Sequence, residues 1–97
     1  MVIIIKKTLL VFAEKYPTAA APLNSWYDTA KSADWSKFAD VKNVFNNVDY
    51  VGNDRYVFNI KGNNFRIVAM IFFDTRTIFI RFVGTHSEYD NIDCSKI

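Results

Sequence analysis

The chain's one histidine lies in "RFVGTHSEYD", residues 81–90. An apolar run ends there, and His86, Glu88, Tyr89 and Asp90 follow within five residues. An imidazole exchanges protons near neutral pH, a phenol can stack or donate, and a neighbouring carboxylate can orient either one. The chemistry open to such a group is general acid–base catalysis. A polar loop closing a strand would have the same composition, so the elements that position these side chains must decide.

Charge adds a second clue. Between residues 55 and 86 stand Arg55, Lys61, Arg66, Arg76 and Arg81 against a single acid, Asp74, and all four arginines of the chain lie there. Local arginine excess suits an anion-facing surface, although a solvated sheet face reads the same way. Cys94 is the sole cysteine, so no internal disulfide forms, and no Cys/His spacing suggests a metal site. A glycine-rich phosphate loop and a nucleophile elbow are both missing, so an isolated metabolic enzyme has no motif behind it.

Ninety-seven residues, 51% hydrophobic and 16% aromatic, describe one globular domain over 1–97. The apolar runs are too short to cross a bilayer. The start "MVIIIKK" places its apolar residues before its lysines, the reverse of a signal peptide. A soluble, cytoplasmic protein without a membrane partner is expected.

The positioning elements follow from periodicity. "VIII" at 2–5 reads as a buried strand. Leu9, Phe12, Ala13 and Tyr16 recur at helical spacing and stop before Pro17. Thr18 can cap a second helix that holds Pro22 in its first turn and buries Leu23, Trp26, Tyr27 and Ala30. A third, around 36–45, carries Phe38, Val41 and Phe45. After residue 47 the period changes to two. "DYV" and "RYVFNI" flank the turn "GND", "NFRIVAMIFF" follows the turn "KGNN", and "RTIFIRFVG" follows Asp74-Thr75. "HSEYDNI" could add a final helical turn. The fold class is α+β, with the N-terminal strand and helices on one face of a small, mostly antiparallel sheet.

Alternation puts Arg66, Val68, Met70 and Phe72 on one face of their strand and Phe65, Ile67, Ala69 and Ile71 on the other. Antiparallel pairing then brings Arg66 beside Val83–His86 on one side and Asn59–Lys61 on the other. The same alternation gives Arg81 a face shared with Phe79 and Val83.

These elements resemble a known family. "NNFRIVAMIFF" followed by "TIFIRFVGTHSEYD", with "LVFAEKYPTAAAPLNSWYDTAKSADWSKFADVKNVF" and "YVFNIKGNNFR" before them, is similar to the HigB branch of RelE-like bacterial toxins. The resemblance runs from about Ile4 to Asp90, and the tail from Asn91 lies outside it. It implies a small twisted sheet backed by N-terminal helices. It also implies the toxin half of a type II toxin–antitoxin pair, an endoribonuclease cutting mRNA, commonly in the decoding (A) site of the 30S ribosomal subunit. No metal or cofactor is implied. The partner would be a HigA-like helix-turn-helix antitoxin, with DNA reached only through it.

Metal-free RNA cleavage needs a base for the ribose 2′-OH, cations for the charge developing at phosphorus and an acid for the leaving 5′-oxygen. By resemblance, Arg66 takes the scissile phosphate, for which a guanidinium fork is suited. His86 is the candidate acid or base, and Tyr89 can stack on a base or donate a proton. Lys61 stands in for the strand lysines of relatives. Because the strand itself offers Val57 and Asn59 at the facing positions, the identity of the base stays open. Arg55, Asn59 and Arg81 are candidates for RNA contact. Glu88 and Asp90 are placed as caps, as partners of an arginine, or as the carboxylate orienting His86. A rival reading keeps the same basic sheet as a non-catalytic module, a degenerate toxin that binds RNA or a partner segment without cutting.

Overall fold

The computed structural model describes residues 1–61 and 64–97. Strand β1 (Val2–Ile4) leads into helix α1 (Lys6–Lys15), whose Leu9 and Phe12 turn inward one helical turn apart. The residue before a proline is pushed out of the helical region. Tyr16, ahead of Pro17, accordingly takes φ −126° and ψ 83° and ends α1. Pro17–Ala19 form a single 3-10 turn, and α2 (Ala20–Ser32) grows directly from it. Thr18 is therefore inside that turn and caps nothing. The N-cap of α2 is Ala19, with no side-chain bond. Pro22 sits in the first turn of α2, where a missing N–H leaves no helical bond unmade. Helix α3 (Phe38–Val44) closes the helical half.

Strands β2 (Val48–Gly52), β3 (Arg55–Ile60), β4 (Phe65–Phe72) and β5 (Thr77–Thr85) then run as an antiparallel meander. Asn53 and Asp54 join β2 to β3 with φ of 51° and 64°, the paired left-handed conformation of a two-residue hairpin turn, for which Asn and Asp are suited. Gly62 and Asn63 of the β3–β4 turn lie outside the described residues, so the expectation placed on them is not carried further. The sheet order is β1-β5-β4-β3-β2, with β1 parallel to β5.

β1 is thus an edge strand rather than a buried one. Val2 is 59% exposed, because β1 has a neighbour on one side only. Its uniform apolarity misleads, since three residues are too few for alternation to declare itself.

The helices cover one face of the sheet. Trp26 meets Phe58 edge-to-face at 5.3 Å, and Phe45 meets the same ring at 5.4 Å. Leu23, Val41, Ile67, Ile71 and Ile78 fill the space around them. Each such side chain fully buried contributes about 1.5–3 kcal/mol against exposure. Among the described residues, no helix is long and apolar enough to cross a membrane.

Candidate active site on the open sheet face

The face opposite the helices carries Arg55, Val57 and Asn59 from β3. Beside them on β4 stand Met70, Val68 and Arg66, paired with those three in that order. On β5 the expected alternation breaks. Val68 pairs with Phe82 but Ala69 pairs with Ile80, so Arg81 is an extra residue bulged out of the ladder. Phe79 and Phe82 consequently share the open face, while Ile80 and Val83 pack toward the helix-side core. The expectation that Arg81 shares a face with Phe79 and Val83 is corrected by this bulge. Arg81 is exposed beside it. Alternating hydrophobicity cannot reveal such a slip, because residues 78–83 are apolar on both faces except at Arg81 itself.

Arg66 lies between Asn59 on β3 and Gly84 on β5, as antiparallel pairing predicts. Only 7% of it is exposed. One guanidinium nitrogen donates to the Phe65 carbonyl at 3.3 Å, and the guanidinium carbon stands 5.5 Å from the centre of the Tyr89 ring. Gly84 makes room at this point. A Cβ there would come 2.4 Å from Cζ of Phe82, so the phenylalanine ring lies across the glycine and walls the backbone opposite Arg66. A buried, permanently charged side chain on a face without helices is costly to desolvate and is a feature of functional sites.

His86 and Tyr89 are set by a short helix, α4 (His86–Asp90). The sequence "THSE" forms its capping box. Glu88 N–H donates to Thr85 Oγ1 at 3.2 Å, and Thr85 N–H donates to Glu88 Oε1 at 2.9 Å. Glu88 is therefore a cap. The amide of His86 donates to Asn64 O at 3.1 Å, which carries the β4–β5 pairing one step beyond the strands. His86 follows Gly84 by two residues, about 6.6 Å along an extended chain. On a helix the residues at i, i+3 and i+4 share a face, so His86, Tyr89 and Asp90 project together. Nδ1 of His86 lies 2.9 Å from Oδ2 of Asp90. With Nδ1 turned to the carboxylate, Nε2 is the nitrogen left to face a substrate.

Tyr89 is held as a neutral phenol. Its pKa is pushed up to about 12, first by burial and then by its bond to the Cys94 thiol, with Asp49 adding to the rise and Arg66 opposing it. The phenol oxygen and Cys94 Sγ are 3.4 Å apart.

The remaining sequence candidates are more dispersed. Lys61 is exposed at the end of β3 with φ 52°, so strand geometry no longer aims its side chain. Asn59 stands next to Arg66 in register. Arg55 is at the opposite end of the open face, its Nε donating to the Ile97 carbonyl at 2.8 Å and its Nη1 to Asn53 O at 2.8 Å. Of the sequence candidates, Arg66, His86, Tyr89 and Asn59 come together at one end.

Phe82, Cys94 and the tail were not foreseen. The stacked Phe82–Gly84 pair has no sequence signature until the bulge is known. Asn91 onward has neither periodicity nor capping pattern to place it. Among the described residues, no group of three or more His, Cys, Asp or Glu side chains is arranged to hold a metal ion.

Comparison with known proteins adds to this geometry. Residues 19–92 match the HigB toxin family, described as the RelE-like toxic component of a toxin–antitoxin system. The mRNA interferase toxin HigB of Escherichia coli K12 is 40% identical over 93 residues, covering 93% of this chain and 88% of that protein. The mRNA interferase HigB of E. coli O157:H7 matches to the same extent. A further mRNA interferase HigB, from E. coli O6:H1, is 35% identical over 82 residues, covering 82% of this chain and 80% of its own.

Proposed function

Because this chain belongs to the HigB family of RelE-like toxins of toxin–antitoxin systems, we propose that it is an endoribonuclease that cuts messenger RNA at the Arg66–His86–Tyr89 end of its open sheet face. The observation that carries the reading is the buried guanidinium of Arg66 over the Tyr89 ring, beside the His86–Asp90 pair. Relatives named as mRNA interferases support the substrate class.

The chemistry divides among these residues. Arg66 holds the non-bridging oxygens of the scissile phosphate and balances the charge that grows there. His86 Nε2 takes the 2′-OH proton, while Asp90 fixes the ring and steadies the imidazolium that forms. The 2′-oxygen bonds to phosphorus and the bond to the 5′-oxygen breaks. Tyr89, still protonated at neutral pH, gives the leaving oxygen its proton. The products are a 2′,3′-cyclic phosphate and a 5′-hydroxyl. Asn59 and, further along, Arg55 and Arg81 contact the flanking strand, with Lys61 beside the turn. Neither metal nor cofactor takes part, and the cutting takes place in the cytoplasm on mRNA in the ribosomal A site. A HigA-like helix-turn-helix antitoxin restrains the toxin and carries it to DNA.

The test is induction in bacteria of the wild type, His86→Ala and Arg66→Ala, with mapping of RNA 5′ ends. Growth arrest and cuts within reading frames are expected for the wild type and absent from both variants. Arrest and cutting that survive both substitutions would move the active site elsewhere. RNA binding with no cuts in the wild type would select the non-catalytic module instead.

A further inference from the structure

The open face is not open along its whole length. Val57 and Val68 are 3% and 0% exposed, yet neither belongs to the core under the helices. They lie between the two ends of a segment that crosses this face. At one end, Cys94 Sγ meets the Tyr89 phenol at 3.4 Å. At the other, Asn53 Nδ2 donates to Ser95 O at 2.9 Å and Arg55 Nε to Ile97 O at 2.8 Å. The segment holds its own shape between them. Ser95 N–H and Oγ–H donate to Asp93 Oδ1 at 3.1 and 2.7 Å, and Lys96 N–H donates to Asp93 O at 3.0 Å. From Asn59 to Arg55 the sheet runs four residues, about 13 Å, a distance that seven extended residues span easily.

We infer that residues 91–97 are a strap that occupies the RNA groove of the free toxin and must lift before an RNA strand can lie along β3 and β4. This rests on the nuclease reading above and adds its regulation. The strap meets the sheet much as a nucleic acid strand would. It offers backbone oxygens, that of Ser95 to Asn53 and that of Ile97 to Arg55, where an RNA would offer phosphate oxygens. It also occupies the phenol that the reaction needs as a proton donor. The strap and an RNA strand compete for the Arg55 guanidinium and the Tyr89 hydroxyl. A protein whose competent form is a fraction of the whole binds its ligand more weakly by that fraction.

Two forms of the protein test this. One ends at Asp93 and so lacks Cys94–Ile97. The other is the full chain with Asn53→Asp, which replaces the amide donor to Ser95 by a carboxylate and keeps a residue suited to the left-handed turn. In a cell-free translation reaction, the dose that halves protein synthesis is expected to fall about tenfold for the shortened chain and severalfold for Asn53→Asp. In the wild type, a 2′-O-methyl oligoribonucleotide, which lacks the attacking hydroxyl, is expected to speed alkylation of the Cys94 thiol. Equal or weaker inhibition by both altered forms, with no change in thiol reactivity, would overturn the strap and leave the nuclease reading standing. Inhibition by none of the three proteins would overturn both. If the shortened chain fails to fold, Asn53→Asp and the thiol rate decide.

Discussion

The two faces of β4 belong to one eight-residue strand and obey different rules. Toward the helices stand Phe65, Ile67, Ala69 and Ile71, all buried in the aromatic and aliphatic core. Away from them stand Arg66, Val68, Met70 and Phe72, where a buried cation interrupts the apolar row. The first face is fixed by volume and dryness, and many apolar side chains of the right size would serve it. The second is fixed by identity. On the proposed reading its guanidinium, the phenol over which it lies and the glycine across the ladder each do something a neighbour of similar size could not. Burial alone therefore does not mark a core. Arg66 and Ile67 are adjacent and both buried, yet Ile67 serves the core, and Arg66, on the proposed reading, serves the chemistry.

That contrast can be broken at its strongest point first. Ile67→Ala should cost roughly 2–5 kcal/mol of folding stability, measured by denaturant unfolding, because it leaves a cavity in the core under the helices. Cleavage per folded molecule should be unchanged. Arg66→Ala should reverse the pattern. It should lower the cleavage rate by about 10²–10³-fold, on the order of 2.7–4 kcal/mol of barrier. Its effect on folding stability should be smaller than its effect on cleavage. Both substitutions reducing stability and activity in equal measure would erase the distinction between the faces.

Smaller changes sharpen it. Thr85→Ala removes one half of the α4 capping box and should cost about 1 kcal/mol. The loss should appear as faster amide exchange over residues 86–90, with cleavage reduced because His86 and Tyr89 lose their common support. The pH dependence is subtler still. Tyr89 in the folded chain ionises near 12, above the ordinary tyrosine value of 10.0. The folded state thus retains a proton that the unfolded state releases earlier, so its contribution to stability is complete below pH 10 and is lost as pH rises through 12. Ultraviolet phenolate absorbance should show a tyrosine titrating near 12 that is lost in Tyr89→Phe. In the chain ending at Asp93 that titration should move down, because the thiol partner and the cover have gone.

Much of this arrangement can be read from residue order, for identifiable reasons. The α1 and α2 stripes and the two-residue turn at Asn53-Asp54 are local signals. The placement of Arg66 beside the stretch from Val83 to His86 needs only that β4 and β5 form a tight hairpin, and the bulge at Arg81 then sets Gly84 rather than Val83 opposite it. Three features escape such reading. Thr18 has the chemistry of a cap, but Pro17 starts a 3-10 turn that carries the chain past it. Arg81 looks like a member of an alternating strand, yet a bulge removes it from the ladder. The tail is polar and aperiodic, and its place depends on partners more than 40 residues away, such as Asn53 and Arg55.

The strand order has one last effect. β5 is the final strand in the chain, yet it lies between β1 and β4. During synthesis the N-terminal strand has no neighbour to bond until residues 77–79 have emerged. The imidazole comes later still. A nascent chain stalled before that point has neither a complete sheet nor the imidazole proposed to act in cleavage, so on that reading a cell making this protein is not exposed to a half-built nuclease.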